Sequence, residues 1–142
     1  MKGPNKKPHF HVAAGLIRKD GHLLIAQRPA GSHLEGQWEF PGGKLERNES
    51  LEHCLEREIK EELGLKVRVE KAVLTVGYEY DTKLITLHIF DCTIMEGEPE
   101  SLEFQKFRWV KPACLGKYAF APADMKVLER LGRRDSMPEE AG

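Results

Sequence analysis

The chain has 142 residues, 40% of them apolar and 32% charged, with a formal net charge of −1. This balance suits a single globular domain and excludes a disordered or fibrous chain; it also argues against a duplex-nucleic-acid binder, which presents a basic face. Cys54, Cys92 and Cys114 are odd in number and far apart, so they match neither a disulfide framework nor a zinc motif and point to a reducing compartment.

Residues 1–8 are predicted to form a loose arm, because Gly3, Pro4 and Pro8 interrupt regular structure. The arm is basic, but no apolar stretch follows it, so it does not read as a secretory leader. No run approaches the roughly 18 apolar residues of a membrane span, and a cytoplasmic protein without membrane attachment is expected. Residues 9–18 and 22–28 are apolar or alternating, and the Lys19-Asp20-Gly21 between them signals a hairpin. His9 and His11 share one face of the first strand. An exposed edge strand explains them better than a metal pair, for which the sequence offers no third ligand. Residues 29–48 are rich in Gly and Pro and are predicted to be one long irregular loop, a length often associated with function.

From Ser50 to Leu63 there is no Gly or Pro, and Glu, Leu and Lys dominate, which predicts a helix. Asn48 or Ser50 is placed to cap it, and Gly64 to stop it. Residues 66–80 and 83–95 are rich in Val, Thr, Tyr, Leu and Ile and are predicted to be two long paired strands. A second irregular loop opens at Gly97 and Pro99 and runs to about Glu103. A short strand from Phe104 to Val110 follows, with Phe107 and Trp109 on one face. Pro122 to Leu131 is predicted to close the domain as a helix with Val127, Leu128 and Leu131 as its apolar side. Residues 133–142 are expected to be a disordered tail, leaving 9–132 as the folded domain. Antiparallel hairpins mixed with helices give an α+β class, an α/β/α sandwich around a mixed β-sheet. Trp38 and Trp109 are read as packing residues.

The first helix carries the informative pattern. Its apolar stripe begins at Leu51 and Leu55; seven residues on, nearly two turns, the same angular positions hold Glu58 and Glu62. Glu61 lies within about 100° of both. An ordinary amphipathic helix continues with apolar residues there. Carboxylates crowded on an inward stripe repel one another and are costly to bury unpaired, and a divalent cation relieves both penalties. Hard oxygen ligands favour Mg²⁺, with Mn²⁺ as the alternative, over zinc. Taken alone, the run from Glu56 to Glu62 also fits a solvated helix face laced with ion pairs.

The surrounding residues decide between these readings. Gly43-x5-Glu49-x7-Arg57-Glu58-Ile59-x-Glu61-Glu62-x-Gly64-Leu65 resembles the complete Nudix box. Residues 12–131 resemble the MutT branch of that family, including Phe40-Pro41-Gly42-Gly43-Lys44 before the box and Ala26-Gln27-Arg28-Pro29 at the end of the second strand. The resemblance implies a Nudix sandwich that hydrolyses nucleoside triphosphates to the monophosphate and pyrophosphate with Mg²⁺. It implies that Glu58, Glu61 and Glu62 bind metal, that the carbonyl of Gly42 adds a ligand, and that Glu103 adds a ligand or acts as a base. Arg57 would orient the carboxylates, Glu49 would tie the loop to the helix, and Gly43 and Gly64 would be backbone requirements. Arg28 would hold the substrate phosphates. Val12, Phe40, Tyr80 and Ile85 would line the base site, with His33 and Glu39 nearby on the loop; each of those four reads equally well as ordinary core, and for Val12 and Ile85 core is the better reading.

Asp124 departs from the asparagine of the best-known MutT proteins. Asn both donates and accepts, matching O6 and N7–H of 8-oxoguanine, whereas an ionised Asp only accepts. Ala121-Pro122-Ala123-Asp124 also resembles the CTP pyrophosphohydrolase relatives, and a raised pKa on a buried Asp124 would restore a donor. Alternatively, Asp124 simply suits the first turn of the last helix. The expected activity is hydrolysis of 8-oxo-dGTP, with CTP or 5-methyl-dCTP as the alternative base class. The rival classes are an RNA 5′-pyrophosphohydrolase, which needs a basic groove that this sequence does not concentrate, and a non-catalytic nucleotide-binding module, which would be expected to lose box carboxylates. The expected partner is a small nucleotide, bound by a monomer or weak homodimer.

Overall fold

A computed structural model describes residues 6–103 and 106–135. Strand β1 (His9–Lys19) turns into β2 (His22–Gln27) through Asp20 and Gly21, whose φ values of 51° and 78° make the turn left-handed at both positions, the geometry that Asp-Gly hairpins favour. The segment predicted as one irregular loop contains two short strands, β3 (Trp38–Glu39) and β4 (Gly42–Lys44). Helix α1 spans Leu51–Leu63, β5 Lys66–Glu79, β6 Leu84–Glu96 and β7 Phe107–Val110. Phe104, the predicted start of β7, lies outside the described residues. A 3₁₀ segment, Pro112–Lys117, leads to α2 (Pro122–Asp135). Helix α2 continues through residues 133–135, which were expected to open the disordered tail; the rest of that tail lies outside the described residues.

The sheet runs in the order β3-β2-β1-β6-β5, with β4 also paired to β1 and β7 to β2. The β1–β6 pairing is parallel and the others are antiparallel, so the sheet is mixed as expected. Alternation along β1 feeds two cores. Ala13 and Ile17 join Leu55, Ile59 and Leu63 of α1 on one face, while Ala14 and Leu16 join Phe120, Ala123 and Val127 on the other. The result is a helix–sheet–helix sandwich. Strand β1 is therefore central, not the exposed edge inferred from His9 and His11: hydrophobic alternation reports which face is wet, not which strands flank it. One edge of that order, β5, is guarded by α2. Lys126 Nζ donates to the Gly77 carbonyl at 3.0 Å and Arg130 Nη1 to the Thr75 carbonyl at 3.2 Å, satisfying groups that would otherwise invite another strand.

Ser50 caps α1 by accepting from the His53 amide at 3.1 Å, and Gly64 ends it at φ 69°, where a side chain would be strained. Trp38 packs edge-on against Tyr118 with ring centroids 5.3 Å apart, and Trp109 packs on the α1 side. Both tryptophans are structural, as read from sequence.

Candidate active site

The end of α1, the β3–β4 segment and the N-terminus of α2 enclose a cavity of about 460 Å³. Its walls include Val12, Arg28, His33, Glu39, Phe40, Gly42, Glu58, Glu62, Tyr80, Ile85, Glu103 and Asp124. Eleven of these positions were singled out from sequence as site residues, and Val12 as a shared core and site position. Of the predicted site residues, Arg57 and Glu61 are missing from the walls. The Glu61 side chain is 51% exposed and pairs with Arg57 Nη1 at 3.2 Å on the flank of the helix, because a step of about 100° carries it past the rim.

Arg57 organises the acidic end. Nε and Nη2 form a two-point contact with Glu49 at 2.5 and 3.0 Å, and Nη1 reaches Glu58 at 3.1 Å. This fork geometry suits guanidinium and not ammonium. Glu49 also accepts from the Glu46 amide at 3.0 Å, so the loop before the helix is fastened to it. Those contacts, led by Arg57, hold the Glu49 carboxyl down to about 2, and the Glu49 fork raises the Arg57 pKa. Behind them Cys54 Sγ meets the Lys44 carbonyl at 3.3 Å.

Glu62 is the inward carboxylate. Its Oε1 is buried and has no hydrogen-bond partner among the described residues. Burial first, then adjacent Glu58, Glu39 and Glu103, pushes its pKa up to about 10. An orphaned carboxylate oxygen facing a second carboxylate is a site waiting for a cation. The carboxylates have not closed into a ligand shell: among the described residues no three His, Cys, Asp or Glu side chains converge on one point, since Arg57 draws Glu58 and Glu61 toward itself. Gly43 was expected to be a backbone requirement. It lacks a positive φ; what it provides is room, because a methyl there would lie 2.5 and 2.6 Å from the two Glu58 carboxylate oxygens.

The opposite end is apolar with a few polar groups. Phe40 is buried, and its amide donates to Asp124 Oδ2 at 3.0 Å. Asp124 is only 6% exposed. Burial, reinforced by Glu39, raises its pKa well above the ordinary value, which favours the neutral carboxyl. Asp124 is the acidic residue of the first turn of α2, as the helix-turn alternative expected, and it also lines the cavity and meets Phe40. The neighbouring Ala123 amide donates to the Tyr80 hydroxyl at 3.1 Å. His33 stands at the mouth with its ring edge-on to Tyr80, centroids 5.3 Å apart. Arg28, expected to hold phosphates, is already engaged: its Nε donates to the His33 carbonyl at 2.5 Å and its Nη1 to Glu39 at 3.0 Å. It braces the loop while lining the cavity. Burial raises the Glu39 pKa against the pull of Arg28.

Sequence reading missed Lys44 and Lys83, which also line the cavity. Burial, then Lys44 and Arg28, lowers the Lys83 pKa, the mark of cations gathered without their anion. The usable signal was a lysine at the β5–β6 turn, three residues after Tyr80.

Sandwich, acidic helix and cavity together define a Nudix domain. The NUDIX domain model matches residues 12–130, and the chain belongs to that family. It is 40% identical over 120 residues, 84% of this chain and 89% of the relative, to the CTP pyrophosphohydrolase of Escherichia coli (strain K12). It is 45% identical over 93 residues, 65% of this chain and 83% of the relative, to an 8-oxo-dGTP diphosphatase of Proteus vulgaris. Among solved structures, the MutT protein of Methanosarcina mazei Go1 superposes with a TM-score of 0.82 at 27% identity, covering 93% of this chain and 99% of that one. Among the described residues, no helix is long and apolar enough to cross a membrane.

Proposed function

We propose that the protein is a metal-dependent nucleoside triphosphate pyrophosphohydrolase that converts 8-oxo-dGTP to the monophosphate and pyrophosphate. The carrying observation is that one cavity joins the Glu58–Glu62 carboxylates to a buried Asp124. The unpartnered Glu62 oxygen, the neighbouring Glu58 and the space left by Gly43 fit a Mg²⁺ or Mn²⁺ ion, with Gly42 and Glu103 on the same wall. Such an ion supplies charge neutralisation and Lewis acidity toward phosphoryl oxygens. The protein's own task is positioning and electrostatics. Arg57 fixes Glu58 and, on the flank, Glu61. Lys44 and Lys83 offset charge along the phosphates. Glu58 and Glu103, both on the cavity wall, are the candidates to take a proton from the attacking water.

At the base end a neutral Asp124 carries an O–H donor beside an acceptor oxygen. That pair complements O6 and N7–H of 8-oxoguanine, removing the objection that an aspartate there can only accept. Val12, Phe40, Tyr80 and Ile85 supply apolar walls for the ring.

A second reading, cytosine nucleotides, is favoured by the Escherichia coli relative named as a CTP pyrophosphohydrolase and by the amino group of cytosine, which either form of Asp124 accepts. Comparing kcat/KM for 8-oxo-dGTP, dGTP, CTP and 5-methyl-dCTP with Mg²⁺ separates them. We expect 8-oxo-dGTP to lead, and a clear lead for the cytosine substrates replaces the first reading with the second.

A further inference from the structure

A second group of metal-ligating side chains lies on the other face of β1. Val12 and Ala14 face the cavity. His9 and His11 project to the opposite side and are exposed, beyond the part of that face that α1 covers. The parallel register sets His11 against Thr86 and Ala13 against His88, so His88 rises on the same face, one same-face step along. His11 Nδ1 and His88 Nε2 stand 3.0 Å apart, with ring planes 24° from parallel and centroids 5.3 Å apart. The His9 ring lies 4.7 Å from that of His11, and its Nε2 meets Thr86 Oγ1 at 2.7 Å.

We propose that His11 and His88 form a two-imidazole site for a borderline divalent cation, such as zinc, nickel or copper, distinct from the carboxylate site. Metal–nitrogen bonds of about 2.0–2.1 Å place two bound imidazole nitrogens about 2.9–3.4 Å apart, for angles from a right angle to tetrahedral. The 3.0 Å separation already lies in that interval. If either of the facing nitrogens carries a proton, moving it to the far nitrogen of its own ring frees both lone pairs. Loading is then a tautomer change and needs no ionisation. Water completes the coordination, as no third ligand converges among the described residues. The two sites sort metals by chemistry, carboxylate oxygens taking Mg²⁺ and imidazoles the softer ions.

The test is a zinc titration of the whole protein in saturating Mg²⁺, followed by long-range proton–nitrogen correlation of the imidazoles. We expect His11 Nδ1 and His88 Nε2 to shift together. His11→Ala and His88→Gln should each weaken zinc binding by about tenfold or more, with hydrolysis in Mg²⁺ unchanged. The glutamine variant keeps hydrogen bonding and volume, so its loss of zinc cannot be assigned to unfolding. Zinc that shifts no imidazole, or an affinity unchanged in both variants, overturns the proposal.

Discussion

Gly43→Ala tests whether the position of the Glu58 carboxylate limits catalysis. An added methyl would lie 2.5 Å from one Glu58 oxygen, so restoring ordinary contact at 3.4 Å moves the carboxylate by about 0.9 Å. Catalytic groups must hold their geometry within about 0.5 Å, and a displacement near 1 Å costs about 10²-fold in rate. That factor corresponds to about 2.7 kcal/mol of transition-state stabilisation. Gly43 is not in the left-handed region, so alanine introduces no backbone strain there, and the crowding falls on a side chain at the cavity wall. Pyrophosphate release at saturating Mg²⁺ and nucleotide gives kcat, and a thermal melt reports folding. We expect kcat to fall about 100-fold with the melting temperature little changed. A kcat within threefold of the parent refutes the reasoning, because the carboxylate would then have moved without consequence.

Arg57→Lys should also collapse kcat with a folded chain, because an ammonium cannot hold Glu49 at two points while reaching Glu58; near-full activity would show that the fork is dispensable. If neutral Asp124 donates to the base, kcat/KM for 8-oxo-dGTP should decline as pH rises through its raised pKa. Asp124→Asn, which cannot ionise, should lose that decline, and an identical pH profile in the variant contradicts the donor role. For Glu62, the folded metal-free protein keeps a proton up to about 10 that the unfolded chain releases near 4.5. Between those values the folded state binds more protons, so this group makes stability fall as pH rises. Melting temperatures in chelator should drop across that window and flatten in Glu62→Gln; the same slope in both proteins would remove Glu62 as the cause.

Local physics made much of this fold legible. Ser50, Gly64 and the uninterrupted stretch between them defined α1, and Asp20-Gly21 defined the hairpin. The break in the apolar stripe at Glu58 and Glu62 pointed to the cavity before any coordinates did. Strands β3 and β4 escaped because they are two and three residues long, too short for alternation to register, and β4 exists through its pairing with the middle of β1. The position of β1 escaped because its parallel partner lies about 75 residues away in sequence, and the His11–His88 contact was hidden for the same reason. Glu61 lies on the flank beside Arg57 rather than on the cavity wall: angular proximity on a helix does not say where the wall ends. Asp124 was noticed as a departure, yet its burial beside Phe40 and Glu39, which raises its pKa, was not legible in the sequence.

Manganese provides the most direct test of the carboxylate site. Crystals grown with a non-hydrolysable nucleoside triphosphate and Mn²⁺ would give an anomalous density map of the ion. We expect a peak bonded to Glu58 and Glu62 and to phosphate oxygens of the nucleotide. Manganese bound elsewhere, with a nucleotide seated in the cavity and both glutamates free of metal, would contradict a site in which these side chains bring the cation to the phosphates.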